Sequence, residues 1–517
     1  MAADEDQGEL AENDDSEKSG DARTTTDWLS LAMWSAPPMV SFEELQRTFA
    51  VRYPASDPLD LGEGTVVVLP SLSFPTAELR KIVGIGYYEE RLLFLLLLLR
   101  RPRVKVVYLT SMPVEEAVVD YYLGFLPDPA GARSRLHMLA AGDPAPRSLT
   151  AKLLDRPELL DRVRELCEGP GGAFVQPFNV TPSEQELSER LGLPLYGPPA
   201  ALAGLGSKTG SRRVARLAGV PVLDGAEDLR SVEAVEQAAR RLGRRPAPPV
   251  GSVVIKLNDG FSGQGNAVVD LGGLNGSLLD SPVVFCAEEE SWPSFAAKIE
   301  QGGAVVEELL DVPGMVSPSV QLRILPGGTP QVLSTHSQVL GGPNRQVYLG
   351  CRFPADAAYR GEIRAAAERV GRVLAARGVI GYFGVDFFVV PSGGRQRVYL
   401  AEINLRVGGT THPFGMAALV TDGRYDADGG HLLAGGRPKS YLATDNLKSA
   451  ALVGREPQDV IDQVDRLGLG YDHRRRAGTT MHLLGALREY GKMGVTCIAD
   501  TEEEARERYR EVVAALT

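Results

Sequence analysis

Two apolar runs late in the chain constrain its fold more than any other feature: Tyr382-Phe383-Gly384-Val385-Asp386-Phe387-Phe388 and Tyr399-Leu400-Ala401-Glu402-Ile403-Asn404-Leu405-Arg406. Each reads as a strand apolar enough to be buried, yet each carries carboxylate or amide oxygens. A buried carboxylate is costly unless a cation meets it. Side chains alternate along a strand, so Glu402 and Asn404 share one face and Ile403 takes the other. A hairpin pairing the two runs brings Asp386 beside them. Three hard oxygen donors converging on one point suit Mg²⁺ held together with substrate phosphates. Upstream, residues 253–257 predict a strand carrying Lys256. A glycine-rich turn follows it, Asp259-Gly260-Phe261-Ser262-Gly263-Gln264-Gly265, whose backbone N–H groups can cradle an anion. Together these segments predict a nucleotide–magnesium site.

At 517 residues the chain is too long for one core and predicts roughly two to four domains. Its 44% apolar and 24% charged content is that of a soluble globular protein. The net charge of −12 is unevenly spread: residues 1–27 hold ten acids against Lys18 and Arg23, leaving −4 for the rest. That segment reads as a disordered acidic tail, because it cannot bury enough apolar surface to fold. The remainder lacks a basic field, so a nucleic-acid partner is not expected. Cys167, Cys286, Cys351 and Cys497 form no CxxC pair, which argues against a disulfide framework or structural zinc and for a reducing cytoplasm. The acidic N-terminus is not a signal peptide. The run Leu92-Leu93-Phe94-Leu95-Leu96-Leu97-Leu98-Leu99, bounded by Arg91 and Arg100, falls short of the roughly 20 residues of a membrane span. It reads as a buried helix segment, with no membrane partner expected.

After the tail, residues 28–204 alternate strand-like and helix-like segments. Thr65-Val66-Val67-Val68-Leu69 and Val104-Lys105-Val106-Val107-Tyr108-Leu109 read as buried parallel strands, and residues 78–99 and 114–123 as helices. Ala173-Phe174-Val175 and Pro194-Leu195-Tyr196-Gly197 look like further strand ends. The pattern predicts α/β layering on a twisted parallel sheet. No GxGxxG follows the first strand, so dinucleotide binding is not expected there. Residues 205–304 form a second unit, with helices over 208–219 and 231–242 before the Lys256 strand. Residues 305–420 alternate strands with a helix over 357–377 and carry the magnesium segment. Residues 421–517 form a smaller C-terminal module ending in a charged helix over 502–516.

Each candidate has a bland alternative. Lys256 is read as a point charge against phosphates, or as an edge-strand lysine snorkelling outward. Lys208 opens its helix, where ammonium and helix N-terminus together attract phosphate, or it is simply solvated. Val305-Val306-Glu307-Glu308-Leu309-Leu310-Asp311 can read an adenine edge with its backbone while an acid meets ribose, although acids often end apolar strands. Arg323 and Arg406 offer planar forks for phosphate or carboxylate oxygens, or form structural ion pairs. His412, in Gly408-Gly409-Thr410-Thr411-His412-Pro413, can orient a substrate or shuttle a proton, or belongs to a loop packed for structural reasons. His336 and His482 read as core residues or as supports behind the groups that line the site. There is no GxSxG elbow, Walker A motif or HExxH, so covalent catalysis has no support.

In order and spacing these segments resemble the ATP-grasp carboxylate–amine ligases over roughly residues 205–415. The resemblance rests on the Lys208 helix ending in Ala218-Gly219-Val220-Pro221-Val222, the Lys256 strand and its loop, and the Val306-Glu307-Glu308 hinge. The strand with Arg323 and the Asp386/Glu402/Asn404/Arg406 segment complete it. It implies an ATP-grasp fold of α+β subdomains, preceded by a Rossmann-like parallel α/β domain that helps hold substrate. ATP and Mg²⁺ are the implied cofactors. Lys208, Lys256 and the loop residues Asp259, Gly260, Phe261, Ser262, Gly263, Gln264 and Gly265 would meet phosphates, with Phe261 in a lid. Glu307, Glu308, Leu309 and Leu310 would hold adenine. Asp386, Glu402 and Asn404 would ligate magnesium, and Arg323 and Arg406 the γ-phosphate and acyl phosphate. The ribose-binding acid of the family normally follows the hinge, where this chain has Val312-Pro313-Gly314-Met315, leaving Asp311 as the substitute.

Phe178-Asn179-Val180-Thr181, Asn404-Leu405-Arg406-Val407-Gly408-Gly409-Thr410-Thr411-His412-Pro413 and Gly478-Thr479-Thr480-Met481-His482-Leu483-Leu484 look like the pheganomycin-type peptide ligases. So does Glu489-Tyr490-Gly491-Lys492-Met493-Gly494. That group's role in antibiotic biosynthesis implies joining a guanidino-type amino-acid carboxylate to a peptide's N-terminal amine. Another carboxylate–amine ligation and a non-catalytic nucleotide-binding module are the rival readings. The oligomeric state stays open, with a homodimer as one option.

Overall fold

Valine-rich stretches without polar interruption form the first sheet. β1 (Glu63–Leu69), β2 (Arg103–Thr110), β3 (Leu136–Ala140) and β4 (Ala173–Pro177) pair in parallel in the order β3-β2-β1-β4. Their central residues, Val66–Leu69 and Val106–Leu109 among them, are fully buried, as a parallel sheet covered on both faces requires. The structure, a computed structural model, describes residues 40–517 apart from Lys81, 247–249, 261–264, Asn275, Glu288, Asp311 and 342–346. The expected acidic tail, the loop residues Phe261, Ser262, Gly263 and Gln264, and Asp311 therefore lie outside the described residues.

The expected helix over 78–99 is corrected. An α-turn covers only Thr76–Leu79, and Ile85–Arg100 winds as a 3₁₀ helix. Such runs rarely exceed a few residues. Here Leu92–Leu99 is apolar on every side and buried throughout, so no single amphipathic face selects the α period in that part. Helix Thr411–Thr421 passes against it: a Cβ on Gly415 would come within 2.3 Å of the Phe94 ring. Among the described residues no helix is long and apolar enough to cross a membrane. Pro194-Leu195-Tyr196-Gly197 contributes one isolated bridge, Leu195 to Val175, rather than a strand.

The second sheet is antiparallel, in the order β5-β9-β6-β7-β8. Its strands are β5 (Gly225–Leu229), β6 (Ser252–Leu257), β7 (Asn266–Asp270), β8 (Val283–Phe285) and β9 (Ala304–Glu308). Helix Val232–Gly243 buries Val235, Ala238 and Ala239 against it.

The third sheet holds ten strands. They are β10 (Pro318–Ile324), β11 (Pro330–Gly341), β12 (Val347–Phe353), β13 (Gly381–Ser392), β14 (Arg395–Asn404), β15 (Arg424–Asp426), β16 (His431–Ala434), β17 (Arg437–Lys448), β18 (Gly478–His482) and β19 (Lys492–Ala499). The main path runs β14-β13-β10-β11-β12-β17-β16-β15, with β19 on β17 and β18 on β19. Residues 421–517 thus add their strands to the sheet that carries the Asp386 hairpin. Helix Ala357–Ala375 covers one face, burying Ile363, Ala367, Val370 and Leu374 beside Val320, Leu322 and Phe383.

Candidate active site

The β13–β14 hairpin forms as its alternation dictates. Asp386 stands directly opposite Glu402, and Gly384 opposite Asn404. Such cross-strand neighbours have Cβ atoms about 4.5–5.5 Å apart. Gln338 Nε2 on β11 donates to Asp386 Oδ1 at 2.8 Å, and Asn404 Nδ2 donates to Oδ2 at 3.1 Å. Burial, then the neighbouring Glu402 charge, pushes the Asp386 carboxyl up to about 6. Lys208 and Arg406 offset this rise only in part, and hard oxygens are the donors that Mg²⁺ accepts. The Asn404 carbonyl faces Arg406 Nη2 at 3.0 Å, so ligation through Asn404 needs its amide to turn over. With that rotation the trio fits the ion.

Lys208 and Lys256 reach the same cavity from outside the hairpin. Lys208 Nζ lies 2.5 Å from Glu402 Oε1 and 3.2 Å from the Gly260 carbonyl. The expected pull of its helix N-terminus on a phosphate is corrected. Asn258 takes the N–H groups of Lys208 and Thr209, Ser207 Oγ takes that of Gly210, and the Ser207 carbonyl that of Ser211. Only the Lys208 side chain is left to meet an anion. Lys256 Nζ bonds Glu307 Oε2 at 2.6 Å, and Arg212 grips the other carboxylate oxygen. Burial alone would raise Glu307, but Lys256 and Arg212 outweigh it and hold the carboxyl below its ordinary range.

The hinge differs from expectation. The Glu307 side chain is used up by two cations, and Glu308 pairs with Arg245 at 3.1 Å. The N–H groups of Glu308 and Leu309 donate to the Asp224 and Ser252 carbonyls, so neither is available to an adenine edge. None of Glu307, Glu308, Leu309 or Leu310 lines the cavity. Asp259, Gly260 and Gly265 form the neck of the glycine loop, also off the cavity wall. A Cβ on Gly260 would sit 2.9 Å from the Gly265 Cα, so this crossing requires glycine.

Arg406 lines the cavity with no carboxylate partner among the described residues, its guanidinium donating to Asn404 and to the Val407 carbonyl. Arg323 does not. It shares the strand face of Ser319 and Gln321 but lies at the strand end, ion-paired with Asp57 and bonded to Gln331 Oε1 at 2.9 Å. His412 is likewise displaced from the wall. Its Nε2 lies 2.9 Å from Asp445 Oδ1 and 3.1 Å from His482 Nε2, and burial lowers its pKa to about 4.

The cavity measures about 550 Å³, within the usual range for small-molecule sites. Six cations line it, Arg91, Lys208, Lys256, Arg406, Lys448 and Lys492, against the carboxylates of Asp386, Glu402 and Asp445. Arg91, Lys448, Asp445 and Lys492 had no local signal. Arg91 lies 354 positions from its partner Asp445, and Lys492 falls in a segment that the resemblance covers without assigning it a role.

Comparisons with known proteins give the chain's relatives. Residues 282–428 match the IQCH-like ATP-grasp model, and residues 459–512 match the PGM1 C-terminal domain. A relative from Streptantibioticus cattleyicolor, L-propargylglycine–L-glutamate ligase, is 33% identical over 480 residues, covering 90% of this chain and 96% of that protein. Biotin carboxylase from Campylobacter jejuni, solved as a β-γ-ATP complex, superposes with a TM-score of 0.54 at 14% identity, over 89% and 93% of the two chains. N5-carboxyaminoimidazole ribonucleotide synthetase with ADP gives 0.51 at 14% identity, over 87% and 97%.

Proposed function

The chain belongs to the ATP-grasp carboxylate–amine ligases, and from that premise we propose that it joins an amino-acid carboxylate to the amine of a second amino acid or short peptide through an acyl phosphate. The observation that carries the reading is the facing pair Asp386 and Glu402, opposed in register inside a cavity that Lys208, Lys256 and Arg406 also enter. Asp386, Glu402 and Asn404 would hold Mg²⁺, which would neutralise phosphate charge. Lys208 and Lys256 exchange their carboxylate partners for phosphate oxygens. Arg406, already desolvated and without a carboxylate, orients the activated carboxyl and stabilises the oxyanion that forms when the amine attacks. Holding the partners in place supplies up to ~7–11 kcal/mol in well-oriented systems. With its free cysteines, an ATP-consuming enzyme of this kind suits the reducing cytoplasm.

The named substrates of the Streptantibioticus relative, propargylglycine and glutamate, support small amino acids at both positions. A guanidino side chain on the donor fits poorly. Asp386 and Glu402 are committed to the metal, and Asp445 already receives Arg91, His412 and His482.

The test is ADP release screened over acid and amine pairs, followed by mass spectrometry. Release that requires both partners, with a product lighter than their sum by one water, is the expected result. ADP release that ignores the amine would favour a phosphorylating enzyme.

A further inference from the structure

At the end of the cavity remote from the hairpin, Lys492 is buried, only 6% exposed. Its Nζ donates to the Tyr88 hydroxyl at 2.9 Å and lies 5.1 Å from that ring's centroid. Among the described residues no carboxylate comes within ion-pair reach of it. Lysine is almost never buried without a partner, because an uncompensated charge out of water is costly.

Lys448 compounds the imbalance. It ends β17 directly opposite Lys492 on β19, and both line the cavity. Like charges facing each other across strands repel, and Lys448 also has no carboxylate partner among the described residues. The other nearby cation is matched: Arg91 stacks on Tyr88, 4.1 Å from its centroid, and is neutralised by Asp445. What is missing at this end is therefore an anion.

The nucleotide phosphates do not supply it. From β13, which carries Asp386, the path to β19 crosses β10, β11, β12 and β17. Lys208 bonds Glu402 and Lys256 bonds Glu307, so the cations that phosphates would take over gather at the hairpin, while Arg91, which shares the Tyr88 ring with Lys492, lies between that lysine and Arg406.

We propose that Lys492, with Lys448 and the Tyr88 hydroxyl, binds a carboxylate carried by the amine substrate, separate from the carboxyl that is activated. The chain then takes as acceptor an amino acid or short peptide whose own carboxylate, side-chain or terminal, pairs with Lys492. Residues 445–492 are the part of the C-terminal segment that reads it. This inference rests on the ligase reading for its choice of substrate, but its test requires no turnover.

The full chain, with ADP and Mg²⁺, is titrated calorimetrically with L-glutamate, L-glutamine and isoglutamine. Glutamate is expected to bind, and the monoamide that binds weakly identifies which carboxylate, side-chain or main-chain, sits at Lys492. Lys492→Met should weaken glutamate about 10- to 100-fold, as loss of a charge-assisted hydrogen bond implies. It should leave ADP affinity unchanged, and Lys492→Arg should restore part of the loss. Lys492→Met should also raise the melting temperature of the ligand-free protein, because it removes an unpaired buried charge. Lowered thermal stability together with unaltered glutamate affinity would assign Lys492 a purely structural role and overturn the proposal. So would equal binding of all three ligands, or binding of none. Failure of the ligase reading would appear separately, as absence of ADP release in wild-type enzyme that still binds glutamate.

Discussion

Glu307 allows the sharpest separation between a structural and a nucleotide-reading role. It is 2% exposed and bridges two buried cations, Lys256 at 2.6 Å and Arg212. Arg212 is itself buried and also held by Glu227 at 3.0 Å. Glu307→Gln keeps the shape and removes the charge, leaving Lys256 facing a neutral amide. Breaking a buried pair from one side costs about 3–5 kcal/mol. Solvent does not screen this pair, so no discount applies. The folded-state pKa of Glu307 lies below its ordinary value, so its contribution is complete above about pH 4.5 and is lost as pH falls through the lowered folded value. Urea unfolding of wild type and variant should therefore show a constant gap from pH 5 upward that narrows in acid. Replacing Lys256 with Met in the variant should recover part of the loss, since the orphaned charge is gone. A Glu307→Gln protein within about 1 kcal/mol of wild type, or a gap that widens in acid, would refute the bridging role.

Other outcomes follow from the same geometry. Arg406→Ala should suppress amide formation far more than nucleotide binding, read as a fall in kcat with ADP affinity retained. Arg323→Ala should lower the melting temperature by breaking the Asp57 pair while the folded enzyme keeps its kcat. Burial lowers His412 to about 4 and His336 to about 3, so both stay neutral in the folded state while the unfolded chain protonates below about pH 6.5. Stability should fall as pH drops from 6.5 toward 4, and His412→Gln should flatten that slope by up to about 1.4 kcal/mol per pH unit.

The Asp386–Glu402 hairpin was legible because its pattern is contiguous: alternation assigns Glu402 and Asn404 to one face without reference to any distant residue. Lys256 was legible for the same reason, as a charge inside an apolar strand. The Asp386–Glu402 register held because one face of each strand is buried, and a one-residue slip would expose it. Arg323 misled because the deciding partner, Asp57, lies 266 positions earlier. Tyr88 and Lys492 meet across 404 positions, and Arg91 and Asp445 across 354, so no local pattern could pair them. The Lys208 helix had the expected N-terminus, but Asn258, from a different segment, fills its donors. The 3₁₀ winding of Ile85–Arg100 was invisible because uniform apolarity carries no period.

The central claim is that Asp386, Glu402 and Asn404 hold a divalent ion against the nucleotide. Electron paramagnetic resonance of Mn²⁺ titrated into the protein with ADP tests it most directly. Wild type should bind Mn²⁺ tightly only when nucleotide is present, and Asp386→Asn and Glu402→Gln should each weaken that binding at least tenfold, about 1.4 kcal/mol. Mn²⁺ binding unchanged in both variants would contradict the account.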